Sequence, residues 1–228
     1  MPAEAKPVTI QIGKEGSVSG LLLKPASPRA LYVFAHGAGA GMTHRSMASV
    51  ADGLAERGIA TLRYQFLYME RKSGRPDAPK LAQAAVRAAV TEARQLMPKL
   101  PLFAGGKSFG GRMTSGAQAA EPLPGVLGLV ILGFPLHPAG KPGQERADHL
   151  SDVNIPMLFL QGTRDALAAL DQLEPVIKGL GKKATLKLFD QADHSFHVPA
   201  KSGRKDAEVM SELLDAMAAW IDRVIAAA

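Results

Sequence analysis

From residue 30 onward, short apolar runs alternate with longer segments of helical period, and this alternation restricts the fold more than any other feature of the chain. Ala30 to Ala35 (ALYVFA), Ile59 to Arg63, Leu102 to Gly105, Val126 to Gly133, Met157 to Gln161 and Ala184 to Phe189 are too short for helices and read as strands. Ser46 to Arg57, Leu81 to Met97, Ser108 to Ala120 and Ala168 to Leu180 read as the helices between them; Gly58 closes the first and Pro98 stops the second. Such alternation implies a mainly parallel central sheet with helices on both faces. Thr9 to Ile12 and Val18 to Leu23 add a strand pair turned at Gly13 and Gly16, and Gln144 to Leu150 a short helix.

The clearest helix is Arg204 to Ala226. Val209, Met210, Leu213, Leu214, Met217, Trp220, Ile221 and Val224 recur three and four apart and form one apolar stripe that should pack on the sheet. Tyr64 to Lys80 has no clear period and two prolines, so it reads as a loop or flexible flap. A chain of 228 residues without an internal repeat is expected to form a single α/β domain over residues 1–228.

Composition removes several function classes. There is no cysteine, which excludes disulfides, thiolate metal sites and a cysteine nucleophile. The net charge of +6 comes from scattered basic residues with no stripe interleaved with aromatics, so no nucleic-acid partner is expected. No apolar run approaches the length of a membrane span, and MPAEAKPVTI lacks an apolar core of signal-peptide length. The expectation is a cytoplasmic protein with no membrane partner, a monomer or homodimer.

A parallel sheet places ligands at the carboxyl ends of its strands, so the loops that follow strands carry the chemistry. Gly105-Gly106-Lys107-Ser108-Phe109-Gly110-Gly111 holds a G-x-S-x-G pattern between a strand and a helix. The small residues permit a turn tight enough to expose Ser108 at the head of the helix, where free N–H groups favour developing negative charge. The alternative is a glycine-rich turn with an idle serine. A phosphate loop fits worse, because no G-x-x-x-x-G-K-[ST] pattern is present. His194, after the last strand, is the candidate general base, with His197 as the alternative. Asp165, after Met157 to Gln161, is the candidate carboxylate that would hold the imidazole. Its competing role is a helix N-cap, and Asp193 and Asp171 are weaker candidates for the acid.

The loop His36-Gly37-Ala38-Gly39-Ala40-Gly41 follows a buried strand and lets backbone N–H groups approach a substrate oxygen. Ala38 N–H is the first expected oxyanion donor, with Gly39 as the alternative, and Phe109 N–H is the second. A phosphate cradle is the competing reading of this loop, and His36 itself reads as structural. Arg71, Lys72 and Arg75 lie in the candidate flap, where they either favour anionic substrates or form a solvated surface.

The order Ser108, Asp165, His194 is the nucleophile–acid–base order of α/β-hydrolases. HGAGAG, GGKSFGGR, GTRD and DHSF resemble the motifs of small α/β-hydrolases of the dienelactone-hydrolase-like and esterase-like group, from about residue 18 to the C-terminus. HGAGAG with GGKSFGGRM is most similar to a bacterial subgroup of small hydrolases. The resemblance implies an α/β-hydrolase fold without a cap domain, shielded at most by Tyr64 to Lys80 and Phe134 to Gly143. It also implies a serine hydrolase acting on a small carboxylic ester or thioester, with no cofactor and no metal. Dienelactone hydrolases proper use a cysteine nucleophile, which this chain lacks. A small peptidase or amidase and a non-catalytic binding protein are the competing functions.

Overall fold

A computed structural model describes residues 4–228; Met1 to Ala3 of the expected domain lie outside the described residues. The strands are β1 (Ala5–Gln11), β2 (Ser17–Leu23), β3 (Ala30–Ala35), β4 (Ile59–Tyr64), β5 (Leu102–Lys107), β6 (Val126–Leu132), β7 (Met157–Gly162) and β8 (Ala184–Phe189). They form one sheet in the order β1-β2-β4-β3-β5-β6-β7-β8. β2 pairs antiparallel with both β1 and β4, and every pairing from β4 through β3 to β8 is parallel.

Among the described residues six α-helices accompany the sheet: α1 (Arg45–Glu56), α2 (Leu67–Glu70), α3 (Pro79–Leu96), α4 (Phe109–Ala120), α5 (Leu170–Leu180) and α6 (Asp206–Ala227), and the short helix expected over Gln144 to Leu150 is a 3-10 helix, Glu145–Asp152. Two apolar cores result. Residues of α3, α4 and α5 pack on one face, and residues of α1 and α6 on the other. The central strands are therefore buried on both sides, which is why β3 and β7 are apolar through most of their length instead of alternating. The apolar stripe of α6 buries Val209, Leu213, Leu214, Met217, Trp220 and Ile221, with Trp220 edge-on to Phe103 of β5.

The sequence-based segments match these elements with shifted ends. β1 begins at Ala5 and stops before Ile12, whose N–H closes the turn onto Gly16 O. β5 runs on to Lys107 because it keeps pairing with β6 as far as Leu132. α5 starts at Leu170, since Asp165 to Ala168 form a turn.

The largest difference concerns Tyr64 to Lys80. Its first part is no loose flap: Tyr64, Phe66, Leu67 and Tyr68 are buried, and Leu67–Glu70 is helical. Phe66 and Tyr68 pack on His36 and Phe109, and Tyr64 packs on Phe66, rather than along one helix or strand face, so they show no period. Within the segment, residues 70–75 and 78–80 are exposed. Among the described residues no inserted cap covers the carboxyl ends of the strands.

Candidate active site

Ser108 is the single residue between β5 and α4, with φ 51° and ψ −116°. A positive φ strains a residue with a Cβ and persists only where the surroundings impose it. Here Ser108 N–H donates to Leu132 O at 3.0 Å and Ser108 O accepts from Arg112 N at 3.1 Å. The turn also needs very close backbone packing. A Cβ on Gly106 would lie 2.5 Å from Ala35 O, and one on Gly110 2.6 Å from both Ala35 O and His36 O.

The three side chains singled out in the strand-following loops meet. His194 Nδ1 lies 2.7 Å from Asp165 Oδ2, and His194 Nε2 lies 2.9 Å from Ser108 Oγ. An ionised carboxylate only accepts, so Nδ1 carries the proton and Nε2 accepts from the Ser108 hydroxyl. The Asp165 side chain is fully buried and the His194 side chain is 24 % exposed, so the imidazole forms the edge that meets solvent.

Asp165 is held from three sides. Besides His194, Leu167 N–H donates to Oδ1 at 2.8 Å and Gln161 Nε2 donates to Oδ2. It is not the N-cap of α5; that position belongs to Ala169. Buried Gln161 was not singled out in the sequence. Its amide nitrogen faces Asp165 while its Oε1 accepts from Phe134 N–H at 2.9 Å. The only sequence signal was a polar residue at the end of an apolar strand.

The alternatives are placed elsewhere. His197 pairs with Asp206 at 2.8 Å on the surface. Asp193 Oδ1 accepts from Ser195 N–H and His197 N–H, shaping the loop that presents His194. Asp171 is exposed in the first turn of α5.

The loop from His36 to Gly41 runs beside the serine: a Cβ on Gly37 would lie 3.7 Å from Ser108 Cβ. Gly39 N–H is taken by Tyr68 Oη at 3.0 Å and Ala40 N–H by Gly37 O at 3.2 Å. Ala38 N–H has no protein acceptor among the described residues. Phe109 is the first residue of α4, so its N–H makes no intrahelical bond. His36 is buried, its Nδ1 donating to Gly37 O at 2.8 Å and its Nε2 accepting from Phe66 N–H at 3.1 Å. Burial lowers its pKa, which fits a neutral structural imidazole. Arg71 turns away to Glu15 O, in the β1–β2 turn.

The model of the alpha/beta hydrolase domain family matches residues 28–222. The chain belongs to the α/β-hydrolase family. Solved relatives share the fold of this α/β-hydrolase. A dienelactone hydrolase from Anabaena variabilis superposes with TM-score 0.78 at 21 % identity, covering 98 % of this chain and 99 % of that one. A lidless α/β serine hydrolase from Xanthomonas campestris superposes with TM-score 0.75 at 24 % identity, covering 96 % of each chain. A Mycobacterium tuberculosis protein provisionally named a phosphoribosyl transferase is 31 % identical over 188 residues, which are 80 % of this chain and 40 % of that protein. The chain thus spans about two fifths of the length of the curated relatives it matches.

Lys107 immediately precedes Ser108, and its ammonium donates to the backbone carbonyl of His194 and lies 5.3 Å from the centre of the Phe196 ring. Gly133 makes room for it: a Cβ there would lie 2.7 Å from Lys107 Nζ and 3.3 Å from the His194 ring. Burial lowers the Lys107 pKa to about 8 against the opposing pull of Asp165 and Asp193. Among the described residues no cluster of three or more His, Asp or Glu is arranged to hold a metal ion, and no helix is long and apolar enough to cross a membrane.

Proposed function

We propose that this α/β-hydrolase cleaves a small carboxylic ester or thioester through an acyl-enzyme on Ser108. The observation that carries the reading is the unbroken chain Ser108 Oγ, His194 Nε2, His194 Nδ1, Asp165 Oδ2, with links of 2.9 and 2.7 Å.

In this mechanism Ser108 Oγ attacks the carbonyl carbon as His194 Nε2 takes its proton. Asp165 fixes the tautomer and stabilises the imidazolium. The backbone N–H groups of Ala38 and Phe109 receive the negative charge on the former carbonyl oxygen. When the tetrahedral intermediate collapses, Nε2 returns the proton to the departing alcohol or thiol. Water then attacks the acyl-enzyme with the same proton traffic, releasing the acid and Ser108.

The positive φ of Ser108 supports the reading, because it presents the hydroxyl to His194 Nε2. The absence of an inserted cap among the described residues supports a substrate approached directly from solvent. Hydrolysis of p-nitrophenyl acetate and p-nitrophenyl butanoate by the wild type and by Ser108→Ala tests it. Turnover by the wild type that falls to the solvent background in the variant is the expected result; equal turnover by both proteins would refute it.

A further inference from the structure

On the α1 and α6 side of the sheet, bordered by Lys107 and by Ser195 and Phe196 of the loop that carries His194, lies a cavity of about 140 Å³. Phe34, Met47, Val50, Leu132 and Met210 form most of its wall, so it is predominantly apolar. The one cationic chain in the wall that carries spare donors is Lys107. An ammonium has three N–H donors, and among the described residues this one has a single protein acceptor, the His194 carbonyl. His44 and Ser46, at the start of α1, also line the cavity, but their side chains bond each other at 2.8 Å.

A desolvated cation beside an apolar chamber is complementary to one kind of molecule. It must carry an acceptor with negative charge at one end and an alkyl body at the other, since water alone cannot use the apolar wall and a bare inorganic anion leaves it empty. A cavity near 150 Å³ holds one benzene-sized group, which corresponds to a chain of about four to six carbons. We propose that this cavity binds a short aliphatic carboxylate, with its alkyl chain against Phe34, Met47, Val50, Leu132 and Met210 and its carboxylate on the Lys107 ammonium. The site stands whether or not Ser108 is a nucleophile.

Four charged or titratable groups face Lys107: Asp165, Asp193 and the His194 ring from the strand-following loops, and His44 from across the cavity. The ammonium loses its proton as the pH rises through about 8, and carboxylate affinity should fall with it.

The test is a calorimetric titration of butanoate, and of the neutral isostere butanamide, into Ser108→Ala, with the methyl NMR signals of Met47 and Met210 followed in parallel. Catalysis plays no part in this readout. Butanoate is expected to bind with shifts of both methyl signals, and butanamide at least ~10-fold more weakly, as the loss of a charge-assisted hydrogen bond requires. Lys107→Met should abolish that preference together with the loss of affinity above pH about 8. Val50→Phe, which fills the chamber while leaving Lys107 in place, should abolish binding of both compounds. Equal affinity for the two compounds, a preference that survives Lys107→Met, or methyl signals that do not move would overturn the proposal. Inhibition of ester hydrolysis by butanoate in the wild type then separates the sources of the ligand. A competitive pattern makes it the released acid and a non-competitive one a separate effector; both keep the site.

Discussion

Ser108 holds a backbone conformation that costs a residue with a side chain about 1–3 kcal/mol, and its neighbours explain how the turn keeps it there. Gly106 and Gly110 both lie against the Ala35 carbonyl at distances that no side chain tolerates. Gly106→Ala should therefore be destabilising by about 1–3 kcal/mol, as overpacking is, and should also lower kcat by displacing the serine; chemical denaturation and ester turnover on the same sample check both effects. For Asp165→Asn we expect kcat to fall by about 10⁴-fold with little change in KM, because an amide at that position favours the wrong imidazole tautomer. Gln161→Leu should produce a smaller loss in the same parameter, since it frees Asp165 on one side only. At this scale the sequence was informative about which residues meet: Ser108, Asp165 and His194 each follow a strand that could be read from its apolar run. It was silent on Gln161 and on what Lys107 touches, because single polar residues in a strand carry no periodic signal. The choice between Ala38 and Gly39 as donor also stayed open, since it depends on Tyr68, which lies about thirty residues further on and reaches back to Gly39 N–H.

At the scale of elements, the segment from Tyr64 to Tyr68 shows where periodicity stops being a guide. Its aromatics close over His36 and fix the end of β3 to the start of α2 through Phe66 N–H and His36 Nε2. That bond needs a neutral imidazole. The His36 pKa is lowered by burial, so below the unfolded-state value of about 6.5 the unfolded chain binds more protons than the folded one, and stability falls as the pH falls. Thermal unfolding at pH 8 and pH 5 should show a drop in Tm for the wild type that is smaller in His36→Gln, which can still accept from Phe66 N–H without titrating. α6 is the opposite case. Its stripe was legible because it packs one face on one sheet, and Leu213→Ala within it should cost about 2–5 kcal/mol while leaving the kcat of the folded fraction unchanged.

For the whole molecule, the alternation of short apolar runs and amphipathic helices identified a parallel sheet because both faces of β3 to β7 are covered, leaving the central strands no polar side. The strand order is a different matter: β4 lies between β2 and β3 although the chain makes β3 first, and nothing local in the sequence encodes that exchange. The same crossover places β3 next to β5, which brings the His36 to Gly41 loop and the Ser108 turn to adjacent strand ends. The candidate site is thus a product of topology, with its chemistry supplied by residues from four loops. The central claim is that this convergence activates Ser108. Incubation with a fluorophosphonate probe followed by intact-mass measurement, on wild type and Ser108→Ala, tests it most directly. One covalent adduct on the wild type and none on the variant is the expected result; a folded wild type that stays unlabelled, or labelling of both proteins, would show that Ser108 is not the activated nucleophile.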